Sequence, residues 1–279
     1  MSSESLVKVF DSRDRDSFTR YLLNAVAEIK IYRFALSNFV INNLRMRYRR
    51  SVLGFVWSLL NPLLVMMVIS VVFSLIFKQE IRTFSLYIFS GLAPWGYISS
   101  SILGGCQALI NGEGFMKKVY VPKLLFPLIF VSTETVNFLF SIVSLYILAL
   151  LFGATLSWKI IFLPLIILII FIFNFGWAIL FSVITVYFRD FSQIMAVVFQ
   201  ALFYVIPIVY PLETIPIEYR FIFNLNPFYY FVMLSRKVIY GQPELYAIDF
   251  LIPTVLAVSS LLLGLFVLMK QDRDIIYRL

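Results

Sequence analysis

Histidine is absent from this sequence and cysteine occurs once, at Cys106. The first absence removes the commonest general base and the commonest metal ligand, and a lone cysteine excludes a disulfide within the chain. Metal-assisted hydrolysis and Ser-His or Cys-His catalysis are thereby set aside. Charge is scarce too, at 14% of residues. No Gly-Lys dipeptide occurs, and so neither GxxxxGKS nor GxxxxGKT. Any nucleotide hydrolysis must come from another polypeptide.

What is present is apolar. Hydrophobic residues make up 61% of the chain and its mean hydropathy is +0.93, well above the roughly 45–50% of a soluble domain. The apolar residues fall in six runs, approximately 52–77, 84–109, 124–152, 160–187, 192–210 and 250–269. Runs of about twenty residues at 1.5 Å each cross a bilayer core of about 30 Å. The fold expected is all-α, a polytopic membrane protein with six transmembrane helices occupying 51–279. A polar segment, 1–50, precedes them.

That segment has no early apolar run, so no cleaved signal is expected and the N-terminus should be retained. Between about Phe18 and Asn42, Leu22, Leu23, Val26, Ile29, Phe34, Leu36, Val40 and Ile41 mix with Arg20, Glu28, Lys30 and Arg33. The mix fits one or two amphipathic helices in the headgroup region, or a soluble helix packed on a partner. Between the fifth and sixth runs, residues 211–249 are too polar for a plain span and too apolar for an open loop. Two short re-entrant helices meeting at Asn226-Pro227 would satisfy their backbone within the protein; a small external cap is the alternative.

The net charge of +8 would suggest nucleic acid in a soluble chain, but here it reports topology and no nucleic acid is expected. With both termini inside, 17 of the 23 basic residues fall on the inner side and 6 on the outer. The positive-inside rule therefore places both termini in the cytoplasm.

Several groups invite a functional reading beside a plain one. Arg45, Arg47, Arg49 and Arg50 stand before the first span, where topology and membrane-lipid headgroups account for them, or a site for a lipid-linked phosphate. The segment Asn111, Gly112, Glu113, Gly114, Phe115, Met116, Lys117, Lys118, Val119, Tyr120, closed by Pro122, is a reverse turn or a short transverse helix. In the helical case Phe115, Met116, Val119 and Tyr120 offer a partner one apolar face. Ser100, Gly104 and Ala108 recur every four residues, the spacing of close helix packing. Glu134 alone among the carboxylates lies well inside a span, where a charge costs at least about 2.5 kcal/mol; it must be protonated, paired or wet. Phe199, Phe203, Ile206 and Tyr210 share one face if the fifth span is a continuous helix, for lipid, helix or sugar contact.

Taken in order, Arg47-Tyr48-Arg49-Arg50-Ser51-Val52-Leu53-Gly54 leading to Trp57-Ser58-Leu59-Leu60-Asn61-Pro62, Lys117-Lys118-Val119-Tyr120-Val121-Pro122, Phe188-Arg189-Asp190 and Leu225-Asn226-Pro227 resemble the type-2 ABC exporter permeases of polysaccharides, O-antigens, capsules and teichoic acids. The resemblance runs from about Ile29 to the C-terminus and leaves the first thirty residues unexplained. It implies a homodimer in the bacterial cytoplasmic (inner) membrane, bound to two copies of a cytoplasmic ABC ATPase that holds ATP and Mg. It also implies that 111–122 is the ATPase-coupling helix and that the cargo is a lipid-linked glycan. Trp57, Phe199, Phe203, Tyr204 and Tyr210 then become candidates for the wall of the substrate path. Two other readings compete: a proton-coupled carrier using Glu134, and a membrane enzyme of lipid-linked glycan synthesis.

Overall fold

The computed structural model describes residues 18–47, 49, 51, 53–78, 80–151, 157–241 and 244–279. Among the described residues every regular element is helical. Two helices, α1 (Phe18–Ile31) and α2 (Arg33–Arg47), open the chain, with backbone bonds from Tyr32 N to Glu28 O and from Leu36 N to Tyr32 O running across the break. The long helices are α3 (Trp57–Phe77), α4 (Ile81–Cys106), α6 (Leu125–Leu151), α7 (Leu163–Tyr187) and α11 (Ala247–Gln271). Shorter helices fill the connections: α5 (Ala108–Met116), α8 (Phe191–Val205), α9 (Phe221–Asn224), α10 (Pro227–Ile239) and α12 (Ile275–Arg278).

Four of these are long and apolar enough to cross a membrane: α3, α6, α7 with its preceding turn from Trp158, and α11. Helix α4 has the length, 26 residues, but serine, glycine and tyrosine dilute its apolar character. The fifth expected span is not a helix throughout. Helix α8 stops at Val205 after 15 residues, about 22 Å against a core of about 30 Å. The cause is local: Pro207 has no N–H and forces the residue before it out of the helical region, and Ile206 is extended at ψ 135°. Ile206 and Tyr210 therefore do not continue the helical face of Phe199 and Phe203.

Between α8 and α11, α9 is a single turn, and α10 begins at the expected junction. Pro227 takes its first position and Asn226 caps it, the side-chain oxygen accepting from Phe228 N at 3.0 Å. At the start of α11, Asp249 does the same for Tyr246 N at 2.9 Å while binding Lys237 at 2.8 Å.

Two apolar cores divide the bundle lengthwise. One gathers α3, α4, α8, α10, the later half of α6, much of α7 and the earlier half of α11, around Phe89, Ile98, Phe173 and Phe231. The other gathers α1, α5, the start of α6 and the ends of α7 and α11, around Leu109, Leu125, Ala178, Leu268 and Ile275. Basic residues crowd the second: Lys117, Lys118 and Lys123 lie in the α5–α6 connection, Arg189 follows α7, and Lys270, Arg273 and Arg278 surround the end of α11. The bundle thus has a basic end and an opposite end.

Close helix contact depends on glycine at three crossings. Gly104, from the expected small-residue stripe, leaves no room for a Cβ beside the Phe130 ring, and Gly105 meets Ala178. Another crossing, which the sequence reading missed, brings backbone against backbone between α7 and α11: a Cβ on Gly264 would stand 2.4 Å from Gly176 O, and one on Gly176 would stand 2.3 Å from Ser260 C. Ser260 and Gly264 carry the four-residue spacing that lets backbones approach.

Candidate functional site

The basic end is built from the segment that follows α4. Gln107 breaks the helix there and donates to Ser192 Oγ at 2.7 Å, tying the start of α5 to the start of α8. Leu109, Gly112 and Met116 turn inward, with Gly112 flush against the Phe126 ring. The helix ends at Met116, Lys117 and Lys118 turn, and Pro122 holds the approach to α6 out of the helix. The expected transverse helix over 111–122 is therefore helical only in its first half. Its four apolar residues do not share one face: Met116 is buried, while Phe115, Val119 and Tyr120 are 53%, 64% and 59% exposed. Glu113 pairs with Lys117 one turn on, and this hydrogen-bonded ammonium holds the Glu113 carboxyl below its usual range.

This surface is braced on three sides. Phe39 of α2 meets Phe115 edge-on at 5.3 Å, and Tyr32 donates to Tyr120 O at 3.4 Å. Lys123, at the entrance to α6, donates to the backbone oxygen of Asp272 and, at 3.0 Å, to its Oδ1. Asp272 is the C-cap of α11, so a cation sits where the helix leaves its carbonyls unpaired. Burial, then Glu28, then Asp272 push the Tyr120 phenol up to about 12. The same carboxylate lies near Tyr21 of α1, raising that phenol after burial. At the start of α1, Phe18 meets Phe266 edge-on at 6.0 Å. The first two helices thus run from α11 across to α6.

The arginines before α3 separate. Arg47 binds Glu134 at 2.9 Å, and Asn137 donates to the other carboxylate oxygen at 3.1 Å. The Glu134 side chain is 7% exposed and that of Arg47 46%. Glu134 lies nine residues into α6, about 13 Å along it, so this arginine reaches past the end of the helix. Glu134 thus has an arginine and an amide as partners inside the span. Arg45 is in the last turn of α2, Arg49 donates to Met46 Sδ at 3.6 Å, and Arg50 lies outside the described residues.

The aromatic wall candidates scatter as well. Phe199 is 2% exposed and packs 5.7 Å from Trp95 and 5.3 Å from Phe228. Phe203 is half-buried, Trp57 is the half-buried first residue of α3, and Tyr204 is 67% exposed. The Tyr210 hydroxyl donates to Tyr204 O at 2.9 Å and Val205 O at 3.2 Å, closing the end of α8.

One charged group carries more structure than its sequence position suggests. Arg236 of α10 is 2% exposed. Its guanidinium lies 3.9 Å from the centre of the Tyr87 ring and donates to Pro207 O at 2.8 Å, Ile208 O at 2.9 Å and the Tyr87 hydroxyl at 3.0 Å. Gly91 leaves the space, since a Cβ there would fall 2.5 Å from Nη2. A basic residue inside an apolar helix was the available signal, and read as a topology charge it gave nothing.

Among the described residues no cluster of metal-ligating side chains occurs. Residues 36–240 match the family described as ABC-2 type transporter. The chain is similar to the O-antigen export system permease protein RfbA of Myxococcus xanthus, 33% identical over 71% of this chain and 76% of that protein. It is similar to two proteins of the same name from Klebsiella pneumoniae, 33% and 31% identical over 66% and 70% of this chain and 72% and 76% of theirs. All four stretches that carry the resemblance, from Arg47 to Pro227, fall within the matched region.

Proposed function

This chain belongs to the ABC-2 type transporter family, and from that membership we propose that it is the permease exporting an O-antigen-like, lipid-linked polysaccharide across the cytoplasmic membrane. The observation that carries the reading is the likeness, over about seven-tenths of the chain, to three proteins named as O-antigen export permeases. Two copies of the chain would enclose the path and bind two copies of a cytoplasmic ATPase, which holds the ATP and Mg. The exposed Phe115, Val119 and Tyr120 are the ATPase-docking surface, and their bracing by α1, α2 and Asp272 gives ATP-driven motion a route into the bundle.

In this reading the basic end faces the cytoplasm, as the positive-inside rule requires. The chain crosses six times, the fifth crossing being α8 completed by the extended residues 206–211. Helices α9 and α10 re-enter from the outer leaflet around Asn226-Pro227. Arg45, Arg47 and Arg49 lie where a carrier lipid's phosphate would approach, and Tyr204 is the most exposed of the wall aromatics on α8.

Deletion of the gene followed by an assay of surface polysaccharide tests the function: loss of polymer, restored only when chain and ATPase are both expressed, is the expected result. Single cysteines at Lys117 and Glu218 on a Cys106→Ala background test the orientation. An impermeant thiol reagent added to intact cells should label the second and spare the first; the reverse pattern would invert the topology.

A further inference from the structure

At the end opposite the basic one, a cleft of about 420 Å³ opens between the turn that precedes α7 and the start of α11. Its volume falls in the range of small-molecule sites, about 300–1,000 Å³. Two large rings stand open on its walls, Trp158 at 75% and Tyr246 at 58% exposure. Below them Phe162 packs 6.3 Å from Trp158 and 5.6 Å from Phe250, giving the cleft an aromatic floor. Glu244 and Lys159 supply the polar edge.

The polar groups are already arranged. Glu244 accepts the Tyr246 hydroxyl at 3.0 Å through one oxygen, and Lys159 donates to Gly241 O at 2.8 Å, holding the wall in place. Lys237 stands 5.7 Å from the centre of the Tyr246 ring and binds both oxygens of Asp249 at 2.8 Å. Lys159 and Glu244 are the charged residues of the lining and balance each other, while Lys237 is neutralised by Asp249 behind the Tyr246 ring. An anion would meet Glu244, and a cation would meet Lys159. The arrangement suits a neutral ligand with an apolar face and hydroxyls at its rim, because a ring stacks on its C–H face and a carboxylate accepts hydroxyl donors.

We propose that this cleft binds one or two pyranose rings of a neutral glycan, at a site separate from the aromatic candidates on α8. The ligand class is the one proposed for the cargo, and the inference rests on that reading for its biological setting. Binding itself requires neither ATP nor the partner subunit, so the two ideas can fail separately.

The test uses the full chain in phosphatidylcholine nanodiscs and saturation-transfer NMR. The probes are methyl α-glucoside, methyl β-galactoside, methyl α-mannoside and N-acetylglucosamine. Saturation should pass to ring C–H protons of at least one sugar. It should fall about two- to tenfold in Trp158→Ala and in Tyr246→Ala, the range expected for losing one aromatic contact, and persist in Tyr219→Ala, an exposed aromatic at the same end. No transfer to any of the four, or equal transfer in Trp158→Ala and Tyr246→Ala, would overturn the proposal. Displacement of the sugar by phosphocholine would also overturn it and reassign the cleft to a lipid headgroup. Sugar binding without export in cells would instead leave the cleft standing and remove the transport reading.

Discussion

Arg47 and Glu134 meet at 2.9 Å from positions 87 residues apart, which fixes the end of α2 against the middle of the first half of α6. Removing the arginine leaves a buried carboxylate whose remaining side-chain partner, among the described residues, is Asn137. Arg47→Ala should therefore cost roughly 1–3 kcal/mol, less than a fully buried pair because Arg47 is half exposed. Glu134→Gln keeps a hydrogen-bonding amide and should lower neither stability nor surface polymer appreciably. Thermal unfolding of the purified protein and a polymer assay decide this. Normal stability in Arg47→Ala, or lost export in Glu134→Gln, would contradict it.

At the docking surface, Phe115→Ala and Tyr120→Ala should lower ATP-coupled export while membrane insertion stays intact. Co-purification of the ATPase with each variant is the direct readout. Unchanged export in both would remove the coupling role.

The Lys123 contact with Asp272 should contribute about 1–3 kcal/mol as a charge-assisted hydrogen bond to a largely buried lysine. Lys123→Asp or Asp272→Lys alone should destabilise the chain and weaken coupling. The exchanged pair should recover part of both, because the ion pair returns while the bond to the backbone oxygen does not. A double-mutant cycle on thermal stability reads the interaction; additive effects would mean that the two residues act independently.

Gly264→Ala should destabilise by about 1–3 kcal/mol, since its Cβ would press on Gly176 O and the α7–α11 backbones must separate. Gly114→Ala, where a Cβ meets nothing within 4 Å, is the control. Equal unfolding temperatures for the two variants would count against the close crossing.

Phe199 and Tyr204 should part company. Phe199→Ala opens a cavity between Trp95 and Phe228 and should cost about 3–5 kcal/mol. Tyr204→Ala should leave stability unchanged and reduce surface polymer. Export that survives Tyr204→Ala would take this face of α8 out of the path.

The sequence was most legible where one physical rule acts alone. Apolar runs long enough to cross a bilayer located α3, α6, α7 and α11, and Asn226-Pro227 announced the start of α10 through capping chemistry. It was less legible where a local breaker competed with hydropathy: residues 192–210 read as one apolar run, yet Pro207 ends the helix inside it. Long-range partners were out of reach. Nothing near Glu134 names Arg47, and nothing near Arg236 names Tyr87 and the Pro207 carbonyl. The face of Phe115, Val119 and Tyr120 emerged for a different reason than helical spacing, because the helix stops at Met116 and the turn carries the others outward.

The stretch from Ile206 to Pro211 forms no helix, yet much of its backbone is held. Arg236 takes the carbonyls of Pro207 and Ile208, Tyr87 donates to Tyr210 O at 3.0 Å, and the Tyr210 hydroxyl reaches back to the last carbonyls of α8. Mechanically this is a clamped strap. Rotating α10 against the strap would stretch the guanidinium's bonds to Pro207 and Ile208, so the clamp couples α10 to the residues that follow α8. Through α8 the strap is continuous with Ser192, bound to Gln107 at the basic end, so one covalent path joins the two ends of the bundle.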